Sequence, residues 1–326
     1  MNTFEILPKD DGFQDYGTVC AANESRFTAS HYSEPLTAFT VGWKDRENIE
    51  SLLNFLAPMI PVSRRFEFKV ANNNEAFLSE TDDIRSIGSA FKRIEFIGTS
   101  VISKTFNKGL TIRVDHDDVA GDDWRERYVQ LLLQRLYRNE LRRAISALEA
   151  NAQTSAPGDQ YIWSDESNPD ADIRSELEAA TDITGVRPNR IIIGEAAWDI
   201  RANSYDAQNN AGANRAAGLT LEELACKLFV DEIRVINARY QNTATSKSAV
   251  LGNSIYAFFA NNETMKDEPA NIKRFVTPAD GSSFRVYIEE HSKFSDITVE
   301  HYSNIVITST TGIRKLTVSA TEPVTK

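Results

Sequence analysis

The spacing of apolar positions changes several times along the chain, and each change predicts a different element. From Arg64 the period is two. Phe66, Phe68 and Val70 alternate with Arg65, Glu67 and Lys69, the pattern of a half-exposed strand. Asn72, Asn73 and Asn74 break it, and a polar acidic stretch runs to Asp83. A second β-like run covers 91–103, and Leu110-Thr111-Ile112-Arg113-Val114 alternates again. The region predicts long strands with charged faces and no compact core of their own. Because a lone hairpin is marginal in water, it is expected to dock on a neighbour. The period then lengthens. Val129, Leu133, Tyr137, Leu141, Ile145 and Leu148 recur at steps of four and three, with Asp122 and Asp123 offering an N-cap and Glu126 in the first turn. That predicts a helix of about 28 residues, or about 42 Å, long enough to lie across a sheet.

Beyond Pro157-Gly158, a turn signal in a linker-like stretch, short helices and strands alternate. Helix is expected over 170–182, stopped by Gly185 and Pro188, then a buried strand at Arg190-Ile191-Ile192-Ile193 and helix again over 195–203. The Asn-, Ala- and Gly-rich stretch 204–218 predicts a loop. A capping box of Thr220 with Glu223 opens a helix over 220–229, and strands are expected over 232–237 and 254–259. This alternation predicts a compact α/β unit. The end predicts only strands. Phe284, Val286 and Ile288 alternate with Arg285, Tyr287 and Glu289, and runs over 297–299, 304–308 and 313–318 follow. The first forty residues carry isolated apolar side chains with no sustained period. Their recurring aromatics favour an arm laid on another surface over a solubilising tail. A short helix is expected over 45–56, ended by Pro58 and Pro61.

Composition narrows the function classes. Lys plus Arg number 36 against 47 Asp plus Glu, a net charge of −11, which argues against tight duplex binding. Hydrophobic residues at 41% suffice for a core and exclude global disorder. No stretch is apolar enough to span a membrane, and the first ten residues show no signal peptide. Two cysteines, Cys20 and Cys226, make neither a disulfide framework nor a thiolate-rich metal site, so a soluble protein of a reducing compartment is expected.

Candidate chemistry is sparse. Asp115, His116, Asp117, Asp118, Asp122 and Asp123 have the donor atoms for a hard cation or hydrolytic work. They lack the alternate-position ligands, central Gly and distal Glu of an ion-binding loop, and acidic residues suit the start of a helix. His31, His116, His291 and His301 share no metal spacing, and Cys226, between Leu224 and Leu228, is expected in the core. No nucleophile elbow, phosphate-cradling loop or dinucleotide fingerprint occurs. Catalytic, cofactor-binding and metal residues are therefore expected to be none. Arg64, Arg65, Lys92, Arg93, Lys104 and Lys108 in the extended region fit either a solvated strand face or ionic contacts to an acidic neighbouring subunit.

The order of elements resembles the major capsid protein of tailed bacteriophages, the Hong Kong 97-type fold shared with encapsulins. Three stretches carry it. Lys108-Gly109-Leu110-Thr111-Ile112-Arg113-Val114-Asp115, leading into Trp124-Arg125-Glu126-Arg127-Tyr128 and 131–136, is similar to the family's entry into its spine helix. Arg187-Pro188-Asn189-Arg190 through Gly194, with Trp198, is similar to the start of its axial domain. The strands 284–291 and 305–308, with Gly312-Ile313-Arg314-Lys315, are similar to its returning peripheral strands. Together they cover about residues 105–318. The resemblance implies an α+β fold with an N-terminal arm (1–40), a short helix and connector (41–62), an extended β-hairpin loop (63–115) and a peripheral domain with its spine helix (116–165). An α/β axial domain (166–282) and returning peripheral strands (283–326) complete it. It implies a non-enzymatic protein without cofactors that assembles with itself, as pentamers and hexamers, into an icosahedral shell in the virion, formed in the host cytoplasm. Further implied partners are a portal, a separate scaffold or decoration protein, and packaged DNA by weak contact across an acidic interior. No residue allows the family's Lys–Asn cross-linking to be carried over. The alternatives are an encapsulin compartment and, more remotely, a metal-dependent hydrolase built on the Asp115 to Asp123 cluster.

Overall fold

The computed structural model describes residues 31–42, 48–70, 84, 90, 99–119, 121–156, 158, 160–243, 245–262, 266, 270–278 and 281–320. Its elements, in chain order, are α1 (Glu34–Gly42), α2 (Ile49–Leu56), β1 (Met59–Pro61), β2 (Arg65–Val70), β3 (Thr99–Lys104), β4 (Phe106–Asp115), α3 (Trp124–Asn151), β5 (Tyr161–Ile162), α4 (Pro169–Thr184) and β6 (Arg190–Gly194). There follow α5 (Glu195–Ala207), α6 (Ala211–Ala217), α7 (Leu221–Leu228), β7 (Glu232–Ile236), β8 (Arg239–Gln241), β9 (Lys247–Ala249), β10 (Ser254–Phe258), β11 (Ile272–Val276), β12 (Phe284–Glu290), β13 (Phe294–Ile307) and β14 (Arg314–Ser319).

The first sheet is organised by β13. This single 14-residue strand pairs antiparallel with β12, with β4 and with β11, and β1 adds parallel to β11. The separate runs expected over 297–299 and 304–308 are one strand, because Glu300, His301, Tyr302 and Ser303 between them are held in register by partners on β4. The long helix α3 lies across this sheet and buries Val129, Leu133, Tyr137, Leu141, Ile145 and Leu148, the six positions read from periodicity. Leu132, Leu136 and Ala144 widen that stripe, and α2 packs Leu53 and Leu56 into the same core. The helix start differs from expectation. Asp123 occupies the N-cap position without capping, because its carboxylate takes a fork from Arg127, at 2.6 and 3.2 Å, one turn on.

The second sheet runs β5-β14-β10-β6-β7, with β5 parallel to β14 and β6 parallel to β7. Strand β6 is buried on both faces, which explains its unbroken apolar run. Ile191 and Ile193 face the core built with α4 and α7, while Ile192 faces the core of the first sheet. At its end Gly194 is required, since a Cβ there would stand 2.0 Å from the carbonyl oxygen of Gly252. Helix α4 stops as predicted at Gly185, whose φ of 70° is left-handed. Two strands join sheets other than those expected. β11, inside the stretch assigned to the axial unit, is in the first sheet, and β14, assigned to the returning strands, is in the second.

Two expected loops are helical. Stretch 204–218 completes α5 and then forms α6, where Asn210 caps by accepting from the Ala213 amide. Alanine's helix preference and the buried Tyr205 outweigh the polar composition. In the expected arm, 34–42 is helix α1, seated by buried Leu36 although its period is poor. Cys226 is exposed, not in the core. It sits two residues from Leu224 on α7, and two residues turn a helix by about 200°, so it faces away from the buried Leu224 and Leu228.

Candidate assembly surfaces

Below the first sheet, three elements converge on one buried carboxylate. Glu140, on the apolar face of α3, accepts from Lys108 Nζ of β4 at 2.7 Å, from Arg143 at 2.9 Å and, through its other oxygen, from Ser303 Oγ of β13 at 2.9 Å. His301 Nε2 stands 3.8 Å away, an ion-pair separation too long for a hydrogen bond. Burial would raise Glu140, yet His301 and Lys108 outweigh it and hold the carboxyl well below the usual carboxylate range. Burial pushes both the His301 imidazole and the Lys108 ammonium down. The cluster therefore clamps the long helix onto two strands. It also withdraws Lys108 from the expected intersubunit contacts, since its ammonium is turned inward onto Glu140.

The remaining expected contacts divide. Lys92 and Arg93 lie outside the described residues. Arg64 stacks its guanidinium 4.8 Å from the Tyr302 ring, and Lys104 stands 5.6 Å from the Phe106 ring. Arg65 and Lys104 are directly opposite in the β2–β3 ladder, and both are exposed. Like charges opposed across strands destabilise a hairpin unless an anion bridges them. The hairpin's foot is fixed to its own chain: Phe66 and Phe68 pack 4.4 and 5.3 Å from Phe275, a small core with Ile60. On the opposite face of the same ladder, Ile102, paired with Glu67, is 81% exposed.

Of two further surfaces, the first lies in the expected laid-down arm and the second went unread in the sequence. Residues 31–33 extend the first sheet along β12, with the Ser33 amide donating to Val286, the Ile288 amide donating to His31, and Tyr32 edge-on to Tyr287 at 6.0 Å. This also buries Tyr287, which alternation placed outside. At the far end of the second sheet, Phe229 caps α7 with φ 56° and is 77% exposed. Arg187 donates to the Leu228 carbonyl at 2.9 Å, one residue before it. A bulky side chain held in the left-handed region and left in water is a sequence-silent signal, because nothing in the composition distinguishes it.

The acidic stretch that offered donor atoms for a cation does not converge. Asp115 Oδ1 accepts from the Asp117 amide, His116 Nε2 bonds Ser295 Oγ at 2.8 Å, and Asp123 holds Arg127. Among the described residues, Glu289, His291 and Asp296 bring ligand atoms within 4.8 Å of one another. Asp296 spends both oxygens on a bidentate fork from Arg113 at 2.8 and 2.9 Å, which competes with any cation. A cleft of about 390 Å³ beside α2 is polar, and its Arg190 is committed to the Phe55 carbonyl and Asn262. Among the described residues no helix is long and apolar enough to cross a membrane.

No protein-family model matches the chain, and no curated relative matches it. Solved structures do. A phage-related protein from Bordetella bronchiseptica RB50 superposes with a TM-score of 0.65 at 19% identity, over 89% of this chain and 97% of that one. The chain has the Hong Kong 97-type capsid fold. The elements of that α+β fold are the hairpin on its foot, the spine helix α3 across the first sheet and the α/β second sheet. Weaker superpositions reach the capsid of Myoviridae phage XM1 (TM-score 0.46, 12% identity, 82% of this chain and 92% of that one). Another is the holo-SrpI encapsulin complex of Synechococcus elongatus PCC 7942 (0.47, 12%, 87% and 93%).

Proposed function

We propose that the chain is a tailed-bacteriophage major capsid protein. It assembles with copies of itself, without catalysis, into the icosahedral shell that encloses the phage genome. The observation that carries this reading is the hairpin on a Hong Kong 97-type fold. Its described part is seated on its own chain through Phe66 and Phe68, projects Ile102 into solvent and opposes Arg65 to Lys104 across its ladder. Those side chains call for an apolar and anionic partner surface, and another copy of the chain supplies one at net charge −11. The phage-related neighbour favours a virion over a cellular encapsulin compartment. On this reading the protein resides in the virion after assembly in host cytoplasm. A portal, and a scaffold or decoration protein, would be its further partners.

Electron microscopy of the purified recombinant protein should show shells, rings or capsomers, and nuclease-protected DNA should accompany particles made during infection. A strict monomer across concentration and salt would remove the reading.

Phe229 provides a residue-level check. The left-handed conformation costs an L-residue about 1–2 kcal/mol, so Phe229→Gly should stabilise the unassembled chain by about 0.5–1 kcal/mol. Particle yield should nevertheless fall, because the exposed ring at the end of the second sheet is lost. Unfolding midpoints and sedimentation of the same samples measure both. A rise in particle yield would show that the ring makes no contact.

A further inference from the structure

The run of β3 into β4 ends in opposite charges that the chain itself does not neutralise. At the hairpin end, alternation places Arg65, Glu67 and Lys69 of β2 on one face with Ile102 and Lys104 of β3. Glu67 is the one carboxylate among them. Arg65 and Lys104 are exposed and opposed in the ladder, and neither forms an ion pair among the described residues. At the other end, Asp115, Asp117, Asp118 and Asp122 stand exposed between β4 and α3. The cations nearest them in sequence are engaged elsewhere, Arg113 on Asp296, Arg125 on Glu290 and Arg127 on Asp123. Lys293, whose carbonyl accepts from the His116 amide, forms no ion pair with them.

The two sets cannot meet within one chain. Strand β13 runs beside the whole stretch, with Asn304 bonded to the Lys104 carbonyl and Phe294 opposite Asp115. Ten strand residues between those contacts hold the sets about 33 Å apart, about four Debye lengths at physiological salt. Each set keeps its self-repulsion until a second molecule arrives. Both also carry apolar surface. The hairpin face presents Ile102 at 81% exposure, and the acidic corner includes half-buried Val119 and Trp124. An apolar centre within a charged rim is the usual anatomy of a protein interface.

We propose that the outward face of the hairpin docks on the acidic corner between β4 and α3 of a second copy. This contact, which rests on the shell reading, supplies the surface that receives the hairpin. Ile102 seats against Val119 and Trp124, while Arg65 and Lys104 meet the four aspartates. Because two different surfaces meet, the contact is heterologous and passes from copy to copy, closing a ring where the rotation allows. Exposed ion pairs add little affinity, so Ile102 holds the contact and the charges select partner and orientation. In a chain of net charge −11, the cationic face also draws in an acidic neighbour where most of the surface repels it.

Charge reversal in the full-length protein tests the match. Arg65→Glu/Lys104→Glu keeps like charges opposed in the ladder, so the hairpin's own stability should change little. Asp117→Lys/Asp118→Lys alters exposed side chains. Circular dichroism and the unfolding midpoint of the unassembled chain should stay in place for both. At about 100 mM salt each pair should cut particle yield at least about 10-fold, because like charges facing across an interface reject the partner. The four substitutions together should restore yield to within about threefold of wild type. Should a reversal unfold the chain, the neutral pairs Arg65→Gln/Lys104→Gln and Asp117→Asn/Asp118→Asn should each lose about threefold instead. Sedimentation velocity and electron micrographs of the same samples measure yield and size. Wild-type yield from either reversed pair overturns the contact, and so does a folded fourfold variant that fails to recover. If wild type forms shells meanwhile, the shell reading stands and this contact alone falls. Salt-sensitive open oligomers, lost in each pair and recovered in the fourfold variant but never closing, keep the contact and remove the shell. A wild type that is monomeric even at low salt removes both.

Discussion

Replacing Glu140 by leucine should cost the fold about 3–5 kcal/mol, the typical penalty for stranding a buried cation without its anion. Glu140 is 2% exposed, and three donors from α3, β4 and β13 converge on its oxygens. Without it, the ammonium of Lys108 stays between helix and sheet, where burial already lowers its proton affinity. The double change Glu140→Leu/Lys108→Leu should recover most of that loss, because a buried ion pair replaced by packed apolar groups is often neutral. Denaturant midpoints of the unassembled chain measure both, and a single-variant loss under about 1 kcal/mol would show that the clamp is not a structural element. Acidity gives a second readout. The folded pKa values of His301 and Glu140 both lie below their ordinary values of 6.5 and 4.5. The unfolded chain therefore takes up more protons than the folded one as pH falls, so stability drops from about pH 6.5 downward, first through His301 and then through Glu140. His301→Leu should remove the upper part of that decline and shrink the lower part without abolishing it, since Lys108 still holds Glu140 down.

The parts of this molecule legible in advance are those in which local pattern and tertiary environment agree. The helix α3 declared itself because its buried stripe and its helical period coincide. The Thr220 to Glu223 box is visible because its hydrogen bonds are local, and the structure forms both of them. The hairpin's lack of a core was legible too, since charge on every second residue leaves one apolar face. What stayed hidden depends on distant partners. Helix α1 has little periodicity and exists because Leu36 and the Thr37 hydroxyl, which accepts from the Val286 amide, find β12 some 250 positions on. The long strand β13 was divided at polar residues that a neighbouring strand satisfies. Glu140 was the one legible anomaly passed over: a carboxylate in line with Leu133, Leu136 and Ala144 breaks the apolar stripe and requires a buried cation. Lys108 was assigned outward because strand alternation does not reveal which face another element will cover. Of the candidate assembly surfaces, the hairpin was anticipated and the Phe229 corner was not, since a positive φ leaves no trace in composition.

Truncating the hairpin's foot should separate folding from assembly. Phe66 and Phe68 are 8% and 2% exposed, and they form with Phe275 and Ile60 a core apart from the two that hold the sheets and helices. Phe→Ala in a packed site costs about 3–5 kcal/mol. Because this core is separate, Phe66→Ala/Phe68→Ala should spend that cost on local opening of β2 and β3 and move the main unfolding transition little. Limited proteolysis within 65–104 should accelerate at least about 100-fold, since cleavage follows the open population and 1.4 kcal/mol is a factor of ten. The ladder's backbone bonds and the pair from Asn304 to Ser103 and Lys104 would remain, so the strands stay paired but lose their fixed direction. On the proposed shell reading a neighbour meets Ile102 and the Arg65–Lys104 pair at a defined angle, so particle yield should collapse while the monomer stays folded. A main transition that drops by the full amount would mean the foot is cooperative with the large cores. Undiminished particle yield, with the hairpin demonstrably loose, would mean that the shell contacts lie elsewhere.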